Sequence, residues 1–359
     1  GMSFVSVTKI SKNIALVLSS LVLAFAVLVV IEFLVRWTTD VGRLGTSADL
    51  FVNQAYGESI GNAPNAKTIA FGVEVYTDDL GFRTNSNGAT PVQNNDEVIL
   101  ILGDSVAFGV GVEFEETVAA RLASAFPEFH LLNSAVISYG INDYENVNNV
   151  VFPRYAGAIK QALVIFCLND VSVISASTIR TTVTHATTDL PTSLSAGIDV
   201  QSLKAMPLVN SLNSFLRARS SLYVWVRGSL TDPQTRYWKN ELANYDKLSE
   251  ETLAQILGPI DRIARLYDTA EIPFSVFVMP FAGQMESDES SLPQKNITAF
   301  LASNGIAYVD LLPRFRTEKL PKDLFLPYDP MHLSPDGHEV LFQVIREQIS
   351  NRQSASLER

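Results

Sequence analysis

Two short stretches of the 359-residue chain carry side chains that could make a nucleophile. The first is Gly103-Asp104-Ser105, directly after the apolar run Val98 to Leu102. A serine hydroxyl becomes a useful nucleophile only when a base takes its proton and an acid orients that base. The second stretch offers both: Tyr328-Asp-Pro-Met-His-Leu-Ser-Pro-Asp-Gly-His338. Asp329 and His332 are three residues apart, so the carboxylate can reach Nδ1 within one turn while Nε2 points outward. His338 is a rival base, but its place in the first turn of an apolar-patterned helix reads as structural. His130 and His185 have no acid at helpful spacing.

Ester chemistry also needs donors aimed at a developing oxyanion. Two strand ends offer them. After one comes Asn133-Ser-Ala-Val-Ile-Ser-Tyr-Gly-Ile-Asn142, where the Ser138 to Gly140 turn can present a backbone N–H. After another comes Cys167-Leu-Asn-Asp170, where Asn169 can offer its side-chain NH2. Ser105 N–H is a third donor. Taken singly, each of these is a polar turn at a strand end.

The elements that must bring them together follow a regular rhythm. Val98 to Leu102 is a short continuous apolar run stopped by a turn, which suits a strand buried on both faces. Open α/β sheets hold ligands at the carboxyl ends of such strands, where Ser105 lies. A helix is expected near 115–126, a strand over His130 to Val136, and a helix over 141–152. Further strands are expected over Gln161 to Cys167, Pro273 to Met279 and Ala307 to Leu312, with helices at 248–268 and 293–304. The last helix starts at Ser334-Pro335, a serine N-cap with proline at the first helical position, and runs to about Ser350. Alternating strands and helices imply a largely parallel three-layer sandwich. Residues 175–240 break the rhythm and read as an insertion, part loop and part helix. The tail 351–359 is polar and expected to fray.

The formal charge of −11 argues against nucleic acid, whose binding rests on basic surfaces. The lone Cys167 sits in an apolar run and reads as a core residue. Four histidines without a Cys or His cluster give no zinc pattern, so no metal is expected. Residues 1–13 form a short polar flank with Lys9 and Lys12. Ile14 to Ile31 holds 18 residues without a charge, long enough for a bilayer core of ~30 Å at ~1.5 Å per residue. We read 14–35 as a transmembrane signal anchor. Arg36 and Arg43 behind it balance the lysines ahead of it, so charge sets orientation weakly. The short flank favours N-inside, with the bulk of the chain extracytoplasmic. Residues 36–95 read as a juxtamembrane linker and irregular pre-domain segment, and 96–350 as the main domain.

Together these blocks resemble the SGNH hydrolase superfamily, the GDSL-type esterases, over about 97–345. Gly103-Asp104-Ser105 matches the nucleophile block, Asn169-Asp170 the third block and Asp329-Pro-Met-His332 the last, in the family's order. Cys167 stands where glycine is usual, and the second block's glycine falls on Ser138, with Gly140 two further on. Asp79-Leu-Gly-Phe-Arg-Thr-Asn85 also looks like a segment found ahead of the serine block in bacterial membrane-associated members. The Gly-x-Ser-x-Gly elbow of α/β-hydrolases is absent.

The resemblance implies a flavodoxin-like αβα sandwich with a mainly parallel five-stranded sheet. It implies Ser105 as nucleophile, His332 as base and Asp329 as orienting acid. Ser105, Ser138, Gly140 and Asn169 would form the oxyanion hole, with Asp104 and Asp170 in support and no cofactor. The expected substrate is a small acyl ester, an O-acetyl group on an envelope or exported polysaccharide. The alternatives are a long-chain acyl lipase or lysophospholipase, a non-hydrolytic glycan-binding or assembly protein that keeps the fold, and acyl transfer with a membrane acyltransferase partner.

Overall fold

In the computed structural model, which describes residues 4–88, 92–93, 96–172, 207–286 and 288–357, the run Val98–Leu102 lies inside a sheet and is shut off from solvent. The chain opens with a long helix, α1 (Phe4–Thr38). Five short strands follow: β1 (Phe51–Tyr56), β2 (Ser59–Asn62), β3 (Lys67–Ala70), β4 (Val73–Thr77) and β5 (Arg83–Thr84). The regular part is β6 (Glu97–Gly103), α2 (Ser105–Phe108), α3 (Val118–Ala125), β7 (Phe129–Asn133), α4 (Ile141–Tyr155) and β8 (Ile159–Cys167). Then come α5 (Pro207–Arg219), α6 (Ser221–Thr231), α7 (Pro233–Tyr245), α8 (Glu250–Thr269) and β9 (Phe274–Met279). The chain closes with α9 (Leu292–Ser303), β10 (Tyr308–Asp310), α10 (Leu312–Arg316) and α11 (Pro335–Leu357).

The main sheet has five strands in the order β10-β9-β8-β6-β7, and every neighbouring pair is parallel. From β6 the chain steps outward to β7, then returns past β6 to β8 and continues to β9 and β10. Because parallel crossovers are right-handed, that reversal sends α3 and α4 to opposite faces. Accordingly α3 packs with α11, while α4 packs with α8. The reversal also opens a crevice between the carboxyl ends of β6 and β8, the place where doubly wound sheets bind ligands. Ser105 follows β6 and Asn169 follows β8.

The segment read as a linker is more ordered than its composition suggested. Strands β1 and β2 pair antiparallel, and β3, β4 and β5 form a second antiparallel sheet. Leu50, Ala70, Phe71 and Val75 from this region are buried in the core shared with the main sheet. Its strands are only two to six residues long, too short for alternation to stand out in the sequence. Of the insertion, most of 207–240 is helical, and the part over 175–206, with His185, lies outside the described residues. The C-terminal tail does not fray where expected, since α11 continues to Leu357. Among the described residues α1 alone is long and apolar enough to cross a membrane, over Asn13–Thr38.

Candidate active site

Ser105 owes its position to two local constraints. Asp104 caps α2, its Oδ1 accepting from Val106 N at 2.9 Å. Gly103 lets α2 turn back against the sheet: a Cβ there would lie 2.4 Å from the Ala107 side chain and 3.1 Å from Ile165 O. Ser105 is thus the first residue of a helix, where the N–H has no intrahelical acceptor, and it donates to no acceptor among the described residues. Asn133, at the end of β7, ties the same turn down by donating Nδ2 to Ala107 O at 2.8 Å.

His332 and Asp329 arrive from the loop before α11. Asp329 Oδ1 accepts from the backbone N–H groups of Met331 and His332, at 3.0 and 2.8 Å. Its Oδ2 meets His332 Nδ1 at 2.8 Å. His332 Nε2 in turn lies 2.8 Å from Ser105 Oγ. All three residues are buried, with Ser105 the most accessible at 6%. Burial by itself would lift the Asp329 carboxyl, but the charge and hydrogen bond of His332, with the two N–H donors, hold it below the usual range. Burial would likewise lower His332. Asp329 overcomes this by charge and hydrogen bond, with Asp104 adding to it, and the imidazole ends above its ordinary value. The pair therefore favours the carboxylate and can stabilise an imidazolium, which a base needs as it accepts the serine proton.

The oxyanion side is less uniform. Asn169 Nδ2 donates to no described residue, and its buried Oδ1 accepts from none of them. Ser138 is exposed and has φ +75°, the left-handed region that favours glycine, which accounts physically for the usual glycine at this point. Gly140 corrects an expectation: its N–H is donated to Asp143 Oδ2 at 2.9 Å, closing the first turn of α4, so it is not offered to the crevice. The signal was present in Gly140-Ile-Asn-Asp143, an acid three residues after a helix start.

Asp104 and Asp170 lie beneath the crevice. Burial pushes Asp104 up to about 6. Asp170 is raised well above the carboxylate range, by burial first and then by the charge of Asp104. It accepts from Tyr144 Oη at 2.5 Å and from Cys167 N at 2.9 Å, so it pins the strand end that carries Asn169. Cys167 is fully buried, as a core residue should be.

Four further residues, none of them singled out in the sequence as a site residue, support the site. The Phe71 ring packs edge-on to the His332 imidazole with centroids 5.0 Å apart. Arg83, in the Asp79–Asn85 segment, is buried and donates Nη1 to Phe108 O at 2.9 Å and Nη2 to Val112 O at 2.7 Å, holding the exit of α2. Gln234 Nε2 donates to Asp329 O at 2.9 Å. Tyr328, beside the acid, sits at φ +61°, rare for a bulky residue. Its ring lies over Gly228, where a Cβ would come within 2.2 Å. The other histidines stay apart: His338 Nδ1 accepts from Val118 N, and His130 faces Asp96 at 3.9 Å.

No family model and no curated protein sequence matches this chain. Solved structures do. A lipase/acylhydrolase from Enterococcus faecalis is 12% identical, with 71% of this chain and 96% of that one covered at a TM-score of 0.38. The acetyl xylan esterase AlAXEase is 9% identical, with 70% and 99% covered at 0.38. A member of the lipolytic G-D-S-L protein family from Veillonella parvula is 10% identical, with 70% and 97% covered at 0.35.

Proposed function

We propose that the chain is a serine ester hydrolase of the SGNH type, held at a membrane by α1, with its main domain outside the cytoplasm. The observation that carries this reading is the continuous relay from Ser105 Oγ through His332 to Asp329, with both links at 2.8 Å. In the reaction Ser105 Oγ attacks the acyl carbon as its proton passes to His332 Nε2. The oxyanion is received by Ser105 N–H, Asn169 Nδ2 and the backbone at Ser138. Collapse expels the alcohol, which takes the proton from His332 and leaves an acyl-serine. Water, deprotonated by the same imidazole, then releases the acid. Every step uses side chains and backbone of this chain.

The finer reading is that the acyl group is small, an O-acetyl on an envelope or exported polysaccharide. It follows from the sequence resemblance and from an anchor that holds the domain beside the membrane. Turnover of p-nitrophenyl esters of increasing chain length should fall from acetyl onward; a maximum at long chains would make the enzyme a lipase instead. A fluorophosphonate probe should label the wild type and not Ser105→Ala, and equal labelling of both would remove Ser105 as nucleophile. Asn169→Ala should lower kcat by roughly 10²–10³ with the fold intact by circular dichroism. An unchanged kcat would leave the oxyanion to the backbone alone.

A further inference from the structure

The two helices α5 and α6 stand out in two independent ways. Residues 207–231 contain Arg217, Arg219 and Arg227 and no acidic residue, in a chain whose formal charge is −11. The same helices expose six large apolar side chains: Val209, Leu212 and Phe215 on α5, and Trp225, Val226 and Leu230 on α6. The α5 set recurs every three residues along one face. Arg219 lies over the Phe215 ring, its guanidinium carbon 4.4 Å from the centroid. Arg217 is buried, so Arg219 and Arg227 are the cations beside this face; an apolar face with nearby arginines and no acid is the composition of a helix that lies in a membrane interface.

The attachment of these helices sets their depth. Glu32, on α1, caps the start of α6: its carboxylate accepts from Ser220 Oγ at 2.7 Å and from the N–H groups of Ser221 and Leu222 at 2.9 and 3.0 Å. Arg36 pairs with Glu32 and donates to Arg219 O at 2.7 Å. The uncharged run Ile14–Ile31 measures ~27 Å as a helix, close to the ~30 Å of a hydrocarbon core. Glu32 therefore falls where the hydrocarbon ends, and so does the α5–α6 junction bound to it. Trp37, 84% exposed one turn beyond, is the residue type that settles at that level. From the junction α6 runs ~16 Å to the site, where Ser229 Oγ meets Tyr328 Oη at 2.9 Å, next to Asp329.

We propose that α5 and α6 are seated in the surface of the bilayer that α1 crosses, with their apolar faces in the headgroup region, so that α6 fixes the active site beside the membrane. This rests on α1 being a membrane span, and it is independent of the chemistry assigned to Ser105. The lipid surface continues an interface that α1 already makes, since α1 and α6 are joined through Glu32.

The test uses the full chain in nanodiscs of phosphatidylethanolamine and phosphatidylglycerol. Cys167 is buried, so a cysteine introduced at the surface is the one that takes an environment-sensitive fluorophore. Leu212→Cys and Leu230→Cys adducts should emit to the blue and be quenched by lipids spin-labelled near the headgroup. A Leu23→Cys adduct in α1 should be quenched by lipids labelled deep in the acyl chain. A Leu266→Cys adduct, where α8 leads into the amino end of β9 and away from the carboxyl ends that carry Ser105 and Asn169, should not be quenched. Quenching at residue 23 with water-like emission at 212 and 230 would overturn the proposal and keep the anchor. An unquenched residue 23 would overturn both. Ser105→Ala should leave every signal unchanged.

Discussion

His332 and His338 lie six residues apart on either side of the start of α11, and both are buried. Burial lowers both imidazoles, yet their proton affinities end on opposite sides of the ordinary histidine value. His332 faces Asp329 and Asp104, and its affinity for a proton is raised. His338 faces Arg83, Arg121 and His332, and burial with those positive charges brings it down to about 3. It stays neutral and accepts from Val118 N at 3.3 Å, a bond that joins α11 to α3. The difference teaches that burial does not decide what a histidine does; the charges that share its burial do. The same contrast divides the carboxylates: Asp329 is lowered beside His332, Asp104 is raised because burial outweighs the charge of His332, and Asp170 is raised by burial and the charge of Asp104.

The largest expected effect separates the two histidines directly. His332→Ala should lower kcat by on the order of 10⁴–10⁶, as loss of a triad base does. His338→Ala should leave kcat within a few-fold and lower stability by about 1–3 kcal/mol, because the buried Val118 N–H loses its acceptor. Steady-state kinetics and denaturant melts of the two variants check this, and a collapse of kcat in His338→Ala with an intact fold would break the distinction.

The smaller effect is in pH. The base must be neutral to act, so kcat/KM should rise with pH through one ionisation lying above the ordinary 6.5 of histidine. For stability the signs are opposite. The raised His332 contributes fully below about 6.5, and its contribution is lost as pH rises through its folded value. The unfolded chain protonates His338 near 6.5 while the fold resists until about 3, so His338 withdraws stability as pH falls across that window. Unfolding midpoints followed from neutral to mildly acid pH should fall less steeply in His338→Gln than in wild type. Equal slopes would move the source of acid lability elsewhere.

Much of the site was legible because its parts are local. Asp329 reaches His332 within one turn, and the Gly103-Asp104-Ser105 turn ends an uninterrupted apolar strand. Short-range geometry of this kind survives any arrangement of the rest of the chain. The partner of the Gly140 N–H is ambiguous in the sequence although Asp143 stands three residues on, because a glycine before a helix can serve either a cap or a ligand. Phe71 carried no readable signal: its contact is with a residue 261 positions away, and its own surroundings are short strands with positive-φ turns. Arg83 lay within a segment singled out by resemblance, but its role of holding the exit of α2 is a property of packing.

The order of residues is enough to find the side chains that could do chemistry, the strand ends that carry them, and a helix long enough to span a bilayer. Each is a matter of residue type and spacing over a few turns of chain. Only the folded chain sets which buried histidine holds a proton more tightly, which N–H groups other acceptors take up, and that a carboxylate at the end of the apolar helix caps the helix leading to Asp329. Those outcomes depend on electrostatics and hydrogen bonds between groups up to two or three hundred residues apart, and only the folded chain sets their distances.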